Sequence, residues 1–374
     1  MKKEKVLVLF GGKSVEHDIS IITTLQMAKN LPKEFDFVFC YIAKNSLWWT
    51  ADNLTNIEIY KNYDKFAKNK KQLTFAFGED KLYFKKGKNY RFFAKIDFIF
   101  NCCHGSVGEN GSLQGLSQLC QVAQSCSDVA SSALCMDKAF MKDILNAHNL
   151  KNPKHLVFKK CQYVHLSEQE KQQIFDEINL PLVVKPANGG SSIGISVCKS
   201  QAEFFDAVEL AFKFDEKIVI EKYVESLREF NCAAFEYKQN LFVSKVNEVF
   251  DKGYIYSFED KYLQVENSPK KKVGEKLSKQ IQELTEQVYK LFDCAGVVRV
   301  DFLYDAKEKQ LYVNEINSIP GSLAFYLFEG VGFEELVRSL IVEGLRKEKE
   351  KQKLVCTFES DALEIFKTAK PIKK

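Results

Sequence analysis

Two neighbouring stretches, R-V-D-F at residues 299–302 and N-E-I-N-S-I-P-G at residues 314–321, are the most informative part of this chain of 374 residues. They lie in two short apolar runs, Val297–Tyr304 and Gln310–Ile316, which are joined by the polar segment Asp305–Lys309. Apolar runs on either side of a short polar turn are typical of a β-hairpin. We therefore predict two adjacent strands here.

The predicted hairpin brings together three side chains with oxygen donors, Asp301, Glu315 and Asn317. Glu315 and Asn317 are two residues apart, so they share one face of their strand. Such hard donors suit Mg²⁺, which binds through one or two carboxylates together with substrate phosphates. Arg299 can point into the same site as a fixed cation. A solvated acidic hairpin is the plainer alternative for this stretch taken alone.

A second signal is the sequence V-V-K-P-A-N-G-G-S-S-I-G at residues 183–194, between two predicted strands. A flexible tip of glycines and serines can surround phosphate oxygens with backbone N–H groups, and Lys185 adds a point charge. The stretch is not a Walker loop, because it lacks G-K-[ST] and leads into a predicted strand, Ile193–Cys198, rather than a helix. Lys138, just inside a predicted helix, is a second candidate for phosphate binding. A plain glycine hairpin and a surface lysine are the alternatives.

A weaker signal is the strand I-V-I-E-K-Y-V at residues 218–224, which is followed by Glu229 at the start of the next strand. An apolar hinge with free backbone groups can hold a purine. Glu221 and Glu229 can accept hydrogen bonds from ribose hydroxyls.

Two loops in the first third of the chain follow predicted strands, where ligands bind in sheets of this kind. The loop Phe10–Ser20 contains Glu16, which when ionised can hold a substrate ammonium or act as a helix-start acid. The loop His104–Gly115 has four glycines in twelve residues, and its N–H groups can bind a carboxylate at a helix N-terminus. His104 is either a ligand or a capping residue. Together with the lysines and the acidic hairpin, these loops indicate ATP chemistry on a small carboxylate.

The composition is that of an ordinary globular protein, with 45% hydrophobic and 28% charged residues and a formal net charge of +4. Basic residues are scattered without interleaved aromatics, so we expect no nucleic-acid partner. No apolar run reaches the length of a membrane span, and the N-terminal run is too short for a signal peptide. Eleven cysteines without a C-x-x-C pair indicate buried thiols in a reducing compartment rather than zinc ligands or disulfides. We expect a cytoplasmic protein.

Strand and helix patterns alternate in the first third of the chain, which predicts an α/β domain with a largely parallel sheet. A Lys- and Asn-rich segment at residues 45–95 resembles an insertion at the edge of that sheet. We predict three regions: an N-terminal α/β domain over 1–130, a small central α+β region over 131–221, and a C-terminal α+β region over 222–374. The last region includes an irregular run over 247–273, long enough to be a lid.

Four of these motifs, in this order, resemble the D-alanine–D-alanine ligase family of the ATP-grasp superfold. They are G-G-K-S-V-E-H-D-I-S (11–20), H-G-S-V-G-E-N-G-S-L-Q-G (104–115), S-S-A-L-C-M-D-K (131–138), and R-V-D-F with N-E-I-N-S-I-P-G. The resemblance extends over nearly the whole chain. It implies an ATP-grasp fold and an enzyme that joins two D-alanine molecules through a D-alanyl phosphate, for peptidoglycan precursors. It also implies a homodimer.

The resemblance implies a role for each matching residue. ATP would be bound by Lys138, Lys185, Ser191, Ser192 and Lys261 at the phosphates, and by Glu221, Lys222, Val224 and Glu229 at the adenosine. Two Mg²⁺ ions, or Mn²⁺ instead, would be held by Asp301, Glu315 and Asn317. D-Alanine would be bound by Glu16, His104, Arg299, Gly321, Tyr326 and Leu327, with Arg299 and the Gly321 N–H as the oxyanion site. Ser191 and Tyr262, linked to Glu16 by hydrogen bonds, would place the second D-alanine.

The chain departs from the family pattern at three positions, where Asn110, Ser257 and Tyr326 replace an aspartate, an aspartate and a serine of many relatives. The change at Tyr326 concerns the site of the second substrate. The alternatives are therefore a ligase that joins D-alanine to D-lactate, another ATP-grasp carboxylate–amine ligase, and a nucleotide-binding regulatory module without turnover.

Overall fold

The computed structural model describes residues 3–76, 78–249 and 273–368. Within these ranges the strands form three separate sheets of eight, four and five strands. In chain order the strands are β1 Lys5–Gly11, β2 Asp36–Ile42, β3 Trp48–Asp52, β4 Lys68–Phe75, β5 Lys81–Lys86, β6 Asn89–Lys95, β7 Phe98–Asn101, β8 Ala123–Gln124, β9 His155–Lys159, β10 Leu182–Pro186, β11 Ser196–Cys198, β12 Lys217–Lys222, β13 Leu227–Tyr237, β14 Asn240–Val243, β15 Asn247–Val249, β16 Val298–Asp305 and β17 Gln310–Asn317.

The α-helices of the same ranges connect and cover these sheets. They are α1 His17–Ala28, α2 Tyr63–Phe66, α3 Ser112–Leu119, α4 Val129–Met136, α5 Lys138–Ala147, α6 Lys160–Tyr163, α7 Glu168–Ile178, α8 Gln201–Ala211, α9 Glu275–Leu291, α10 Phe333–Lys351 and α11 Ala362–Thr368. None of them is long and apolar enough to cross a lipid bilayer.

The first sheet has the strand order β6-β5-β4-β3-β2-β1-β7-β8. Its β2-β1-β7-β8 half is parallel, whereas β3 to β6 are added antiparallel at one edge. The segment predicted at the sheet edge does lie there, and because of its four antiparallel strands only half of the sheet is parallel. Alternate residues of β1 enter two different cores, which accounts for the unbroken apolar run Val6–Phe10.

The second sheet has the order β11-β10-β12-β9 and is antiparallel. One face packs its apolar residues against α7 and α8. The third sheet has the path β14-β13-β16-β17, and β15 also pairs with β13. One side of the third sheet packs against α5 and α9, and Ala233 and Phe235 of β13 pack with α10. Helix α5 therefore lies between the second and third sheets.

Two parts of the predicted secondary structure are wrong. The expected strand Ile193–Cys198 begins only at Ser196, because Ser191, Ser192 and Gly194 have φ values of 52°, 60° and 75°, which a strand does not permit. The run from residue 247, predicted to be irregular, begins with strand β15, and residues 250–272 lie outside the described part of the chain. All eleven cysteines are free and nine of them are buried, as expected.

Helix α10 packs very closely on the first sheet at Gly344. A Cβ atom there would lie 2.4 Å from the carbonyl oxygen of Gln124 and 2.7 Å from a ring carbon of Phe98. We expect Gly344→Ala to lower the free energy of unfolding by about 1–3 kcal/mol through overpacking, although alanine favours a helix by about 1 kcal/mol. Urea unfolding measures this change.

Gly115 in α3 provides the matched control, because its Cβ would have 3.9 Å to the nearest atom, on Val129. Gly115→Ala should leave stability unchanged or raise it by up to about 1 kcal/mol. Equal stability changes in the two variants would contradict the close packing of α10.

Candidate active site

One cavity lies where the edges of the three sheets approach each other. It is lined by strands β16 and β17, by the loops after β1, β7, β10 and β17, by the end of α4 and by the start of α5. Seven of the residues predicted from the sequence line it together: Glu16, His104, Lys138, Arg299, Glu315, Asn317 and Gly321. The structure therefore assembles in one place residues that are up to 305 positions apart in the chain.

The carboxylate of Glu16 is buried between the first and second sheets. Ser191 donates a hydrogen bond from Oγ to Glu16 Oε1 at 2.5 Å. Gly105 and Gly190 both lie close to this carboxylate, and a Cβ atom on either would lie within 2.5 Å of Glu16 Oε2. A side chain at either position would therefore displace the Glu16 carboxylate, and the φ of 61° at Gly105 also favours glycine there. The predicted proximity of Glu16 and Ser191 is present in the structure.

A second buried carboxyl group, Glu109, connects the loop after β7 with the loop after β17. It accepts hydrogen bonds from the N–H of Gly105 at 2.9 Å, from the N–H of Ile319 at 3.3 Å and from Ser318 Oγ at 3.4 Å. Burial and the nearby charge of Glu16 raise the pKa of Glu109 to about 7. When Glu16 is ionised, its negative charge therefore disfavours a second negative charge on Glu109 in this part of the cavity.

His104 also connects the loop after β7 with the loop after β17, and its hydrogen bonds define its tautomer. Its Nδ1 lies 2.7 Å from the carbonyl oxygen of Ile319, which can only accept, so Nδ1 carries the proton. Burial lowers the pKa of His104 to about 4, so the ring is neutral and Nε2 accepts. Thr23 Oγ1, at 2.8 Å, donates to Nε2 and itself accepts from the N–H of Ser322 at 3.0 Å. The hydrogen bonds of His104 and Thr23 thus hold both sides of the Pro320–Gly321 turn.

Lys138 is fixed at the start of α5 by its neighbours. The preceding Asp137 caps the helix by accepting from the N–H groups of Ala139 and Phe140 at 3.0 and 3.2 Å. Lys138 Nζ lies 2.9 Å from Glu315 Oε1 and donates to the carbonyl oxygen of Gly189 at 2.6 Å. Burial lowers the pKa of Lys138, but the charge and hydrogen bond of Glu315 together with the charges of Glu221 and Glu16 outweigh this effect, and the pKa is raised. The side chain is a charged ammonium at the cavity wall.

The predicted hairpin is confirmed as strands β16 and β17. Asp301 pairs with Glu315 and Arg299 with Asn317, so all four side chains lie on one face. Arg299 holds Asp301 with two hydrogen bonds of 2.7 Å, and Asn317 Nδ2 donates to Asp301 Oδ2 at 3.0 Å. Among the described residues no group of three or more His, Cys, Asp or Glu side chains forms a metal site. Two carboxylates with an amide oxygen are nevertheless a donor set that suits Mg²⁺.

Lys185 lies beside the cavity in a buried group of charges. Its Nζ is 2.8 Å from Glu221 Oε2 and 3.3 Å from Asn314 Oδ1. The other oxygen of Glu221 lies 3.1 Å from Nζ of Lys142. Lys142 does not stand out in the sequence, although it lies four residues after Lys138 and so on the same side of α5.

The remaining predicted residues do not line this cavity. Lys222 is exposed at the end of β12, Val224 is buried just after that strand, and Glu229 is half-buried in β13. Tyr326 is 37% exposed, and Leu327 is buried in the core next to Phe328. Ser192 follows Ser191 in the glycine-rich turn. Lys261 and Tyr262 lie outside the described residues, so their roles, like those of the other site residues, stay predictions.

The structure adds three residues that the sequence reading missed: Thr23, Glu109 and Lys142. Glu109 lies inside the motif at residues 104–115, where it is the single acidic residue among four glycines, and this pattern is a signal that could have identified it. Thr23 and Lys142 are ordinary helix residues in the sequence. Only the tertiary contacts of their side chains reveal their positions in the site.

Comparison with known proteins defines the class. Residues 5–127 match the model of the D-ala D-ala ligase N-terminus and residues 144–342 match that of the D-ala D-ala ligase C-terminus. The fold is that of an ATP-grasp ligase. More particularly, the chain belongs to the D-alanine–D-alanine ligase family.

Relatives and solved structures agree with this assignment over almost the full length. A D-alanine–D-alanine ligase of Thermosipho melanesiensis is 34% identical over 368 residues, which is 96% of this chain and 98% of the relative. One of Bacillus pumilus is 32% identical over 360 residues, 94% of this chain and 98% of the relative. The D-alanine–D-alanine ligase structure from Coxiella burnetii superposes with a TM-score of 0.77 at 25% identity, covering 99% and 100% of the two chains. The structure of the VanG D-Ala:D-Ser ligase of Enterococcus faecalis superposes with a TM-score of 0.77 at 25% identity, covering 92% of this chain and 100% of the other.

The role of Thr23 leads to a prediction about the Pro320–Gly321 turn. Thr23→Val keeps the shape of the side chain but leaves His104 Nε2 and the Ser322 N–H without their partner. We expect a loss of about 1–3 kcal/mol in the free energy of unfolding, because buried polar groups left unsatisfied are costly. Turnover should fall as well. Urea unfolding and steady-state kinetics measure the two effects.

Thr23→Ser is the control, because it keeps the hydroxyl and removes only a methyl group. It should retain most of the activity. If Thr23→Val were as active and as stable as Thr23→Ser, the hydroxyl would have no part in holding the turn.

Proposed function

We propose that this protein is an ATP-dependent ligase that joins two D-alanine molecules to form D-alanyl-D-alanine, a peptidoglycan precursor. The observation that carries the proposal is the cavity itself. It places the carboxylate of Glu16, the ammonium of Lys138 and the guanidinium of Arg299 around one space. An amino-acid substrate and a nucleotide phosphate require this combination of charges. Membership of the family over nearly the whole chain supports the same reaction.

The first D-alanine would bind with its ammonium at Glu16. The Ser191 hydroxyl donates to one oxygen of that carboxylate, so the glycine-rich turn would help to set the position of the ammonium. His104 is neutral and has both ring nitrogens occupied by Ile319 O and Thr23. Its contribution near the substrate carboxylate would therefore be to hold the Pro320–Gly321 turn in place.

A carboxylate is a poor acyl donor, so it must first be converted into an acyl phosphate. The carboxylate of the first D-alanine would attack the γ-phosphorus of ATP in line, with ADP as the leaving group. Lys138 and Lys185 would neutralise charge on the transferring and leaving oxygens. Both are buried and already oriented by Gly189 O, Glu315, Glu221 and Asn314. The two ammonium groups are thus held at the site, and each would exchange a carboxylate partner for a phosphate oxygen when the nucleotide binds.

The amine of the second D-alanine would then attack the acyl carbon and release phosphate. Negative charge develops on the acyl oxygen, and Arg299 with the N–H of Gly321 would stabilise it. Both groups line the cavity. Water must be excluded during this step, since it would hydrolyse the acyl phosphate.

Asp301, Glu315 and Asn317 would hold the divalent metal, and we propose two Mg²⁺ ions, replaceable by Mn²⁺. A metal bound there would screen the phosphate charge. In the structure Asp301 is paired with Arg299 and Glu315 with Lys138. The protein thus supplies cations of its own to these carboxylates.

The other parts of the proposal rest on the family pattern. Glu221, Lys222, Val224 and Glu229 would form the adenosine side of the ATP site. Lys261 and Tyr262 would belong to a closing loop over residues 247–273. We also propose a homodimer, which analytical ultracentrifugation would test.

The decisive test of the proposal is product analysis with ATP and Mg²⁺. We expect ADP and a mass corresponding to the alanyl dipeptide with D-alanine, and neither product with L-alanine or without an amino acid. Parallel reactions with D-alanine plus D-serine or D-lactate test the second-substrate site, where Tyr326 departs from many relatives. A mixed product in preference to the dipeptide, or no ADP with any pair, would overturn the assignment.

Arg299→Ala tests the oxyanion site. We expect kcat to fall roughly 100-fold or more, as for the loss of an oxyanion donor. Arg228→Ala is a matched control, because Arg228 is also on a strand and holds Glu248 through two hydrogen bonds of 2.8 and 2.9 Å. It does not line the cavity. A near-normal kcat for Arg299→Ala would remove Arg299 from the chemical step.

A further inference from the structure

Lys142 is a buried charged residue that the proposed reaction leaves without a role. Its side chain is fully buried in α5, one turn after Lys138. Its Nζ lies 3.1 Å from Glu221 Oε1, while Lys185 Nζ lies 2.8 Å from Glu221 Oε2. One carboxylate thus lies between two ammonium groups.

The register of the second sheet explains this arrangement. Val183 pairs with Glu221 and Lys185 pairs with Val219, so Lys185 and Glu221 lie on the same face of adjacent strands. Leu182, Val184, Ile218 and Ile220 point to the opposite face and form the core with α7 and α8. The polar face is covered by α5, where Ala139 packs on Val219. Lys142 reaches Glu221 from that helix.

The three ionised side chains of this group, Lys142, Lys185 and Glu221, have a net charge of +1. Glu221 is ionised: burial opposes this, but the two lysines outweigh it and lower its pKa. His155 is opposite Glu221 on β9, and burial together with Lys142 lowers its pKa, so it stays neutral near pH 7. Burial likewise lowers the pKa of Lys142 to about 8. Neither Lys142 Nζ nor Glu221 Oε1 makes a hydrogen bond of good geometry.

Buried charge in excess is unfavourable unless an opposite charge arrives. Lys185 is the member of the group that can receive an anion, because its Nζ also contacts Asn314, next to Glu315 in the cavity wall. If Lys185 turned to a phosphate oxygen in the absence of Lys142, Glu221 would be left as an unpaired buried carboxylate. With Lys142 present, Glu221 keeps a partner.

We propose that Lys142 is a positioning residue for the nucleotide: it retains Glu221 so that Lys185 is released to bind a phosphate of ATP. The proposal rests on the proposed function, in which Lys185 contacts ATP. Lys142 itself touches no substrate and acts through Glu221 and Lys185. Its role is to lower the free-energy cost of moving Lys185 from the Glu221 carboxylate to a phosphate of ATP.

The test is nucleotide binding by Lys142→Met, measured by isothermal titration calorimetry with the full-length protein. Without Lys142, Lys185 and Glu221 form a closed neutral pair that competes with the phosphates. We expect the Kd for ATP to rise roughly 10- to 100-fold, as for loss of a unit charge several ångströms away at the effective dielectric of a protein site. The Kd for adenosine, which has no phosphate, and the KM for D-alanine should be unchanged. Lys142→Arg, which keeps the charge, should bind ATP nearly as wild type.

A second variant separates positioning from a general structural role. Glu221→Gln removes the competing carboxylate but also alters a residue proposed to lie at the adenosine, so Lys142→Met/Glu221→Gln is compared with Glu221→Gln alone. With no carboxylate to hold Lys185, the ratio of the Kd for ATP to the Kd for adenosine should be nearly the same in these two variants. A merely structural defect would persist or worsen in the double variant. If Lys142→Met does not fold, Lys142→Gln, which can still donate to Glu221 but has no charge, replaces it with the same expected loss.

The outcomes distinguish this inference from the proposed function. Three results would each overturn the role of Lys142 while the wild-type protein still makes the dipeptide: an unchanged Kd for ATP in Lys142→Met, equal losses for ATP and adenosine, or the same loss of ATP affinity when Lys142→Met is added to Glu221→Gln. Wild-type protein that binds no ATP would overturn the proposed function and this inference with it.

Discussion

A buried carboxylate must be surrounded by donors or cations, and Glu16 meets this requirement at the point where the first and second sheets come together. Gly105 and Gly190 both lie close to its Oε2 atom, and Ser191 donates to its Oε1 atom. Since Gly105 follows a strand of the first sheet and Gly190 and Ser191 follow a strand of the second, this carboxylate connects loops of both sheets. The residue proposed to bind the substrate ammonium is therefore also a contact between the two sheets that border the cavity.

The cavity and its border hold their charges in pairs, and this affects how ligands bind. Lys138 is paired with Glu315, Arg299 with Asp301, and Lys185 with Glu221. Each pair contains one group proposed to contact phosphate or an acyl oxygen. Because a ligand must replace an existing partner, its net gain is smaller than the direct attraction would suggest. In return, each of these side chains is oriented before the substrates arrive.

The sequence predicted the parts of this protein that depend on local pattern. The β16–β17 hairpin follows from two apolar runs on either side of a polar turn, and the structure confirms it. The composition of the Lys- and Asn-rich segment places it at the edge of the first sheet, where β3 to β6 lie. Contacts made across the fold could not be predicted in this way. In the sequence Lys142 does not differ from other helical lysines, and only the packing of α5 on β12 shows its contact with Glu221. Helix α7, in contrast, does carry a local signal in the sequence, the capping box of Ser167 and Glu170.

The segment that follows Gly321 shows how the fold holds an unfavourable conformation at the site. Ser322, Leu323 and Ala324 have φ values of 53°, 51° and 47°, a left-handed turn made of three residues that are not glycine. Each such residue costs about 1–2 kcal/mol. Leu323 and Ala324 are buried in the core with α10, and the Ser322 N–H is held by Thr23. Burial of those side chains offsets the strain, and the direction of the chain at Gly321 is thereby fixed from the core rather than from the cavity.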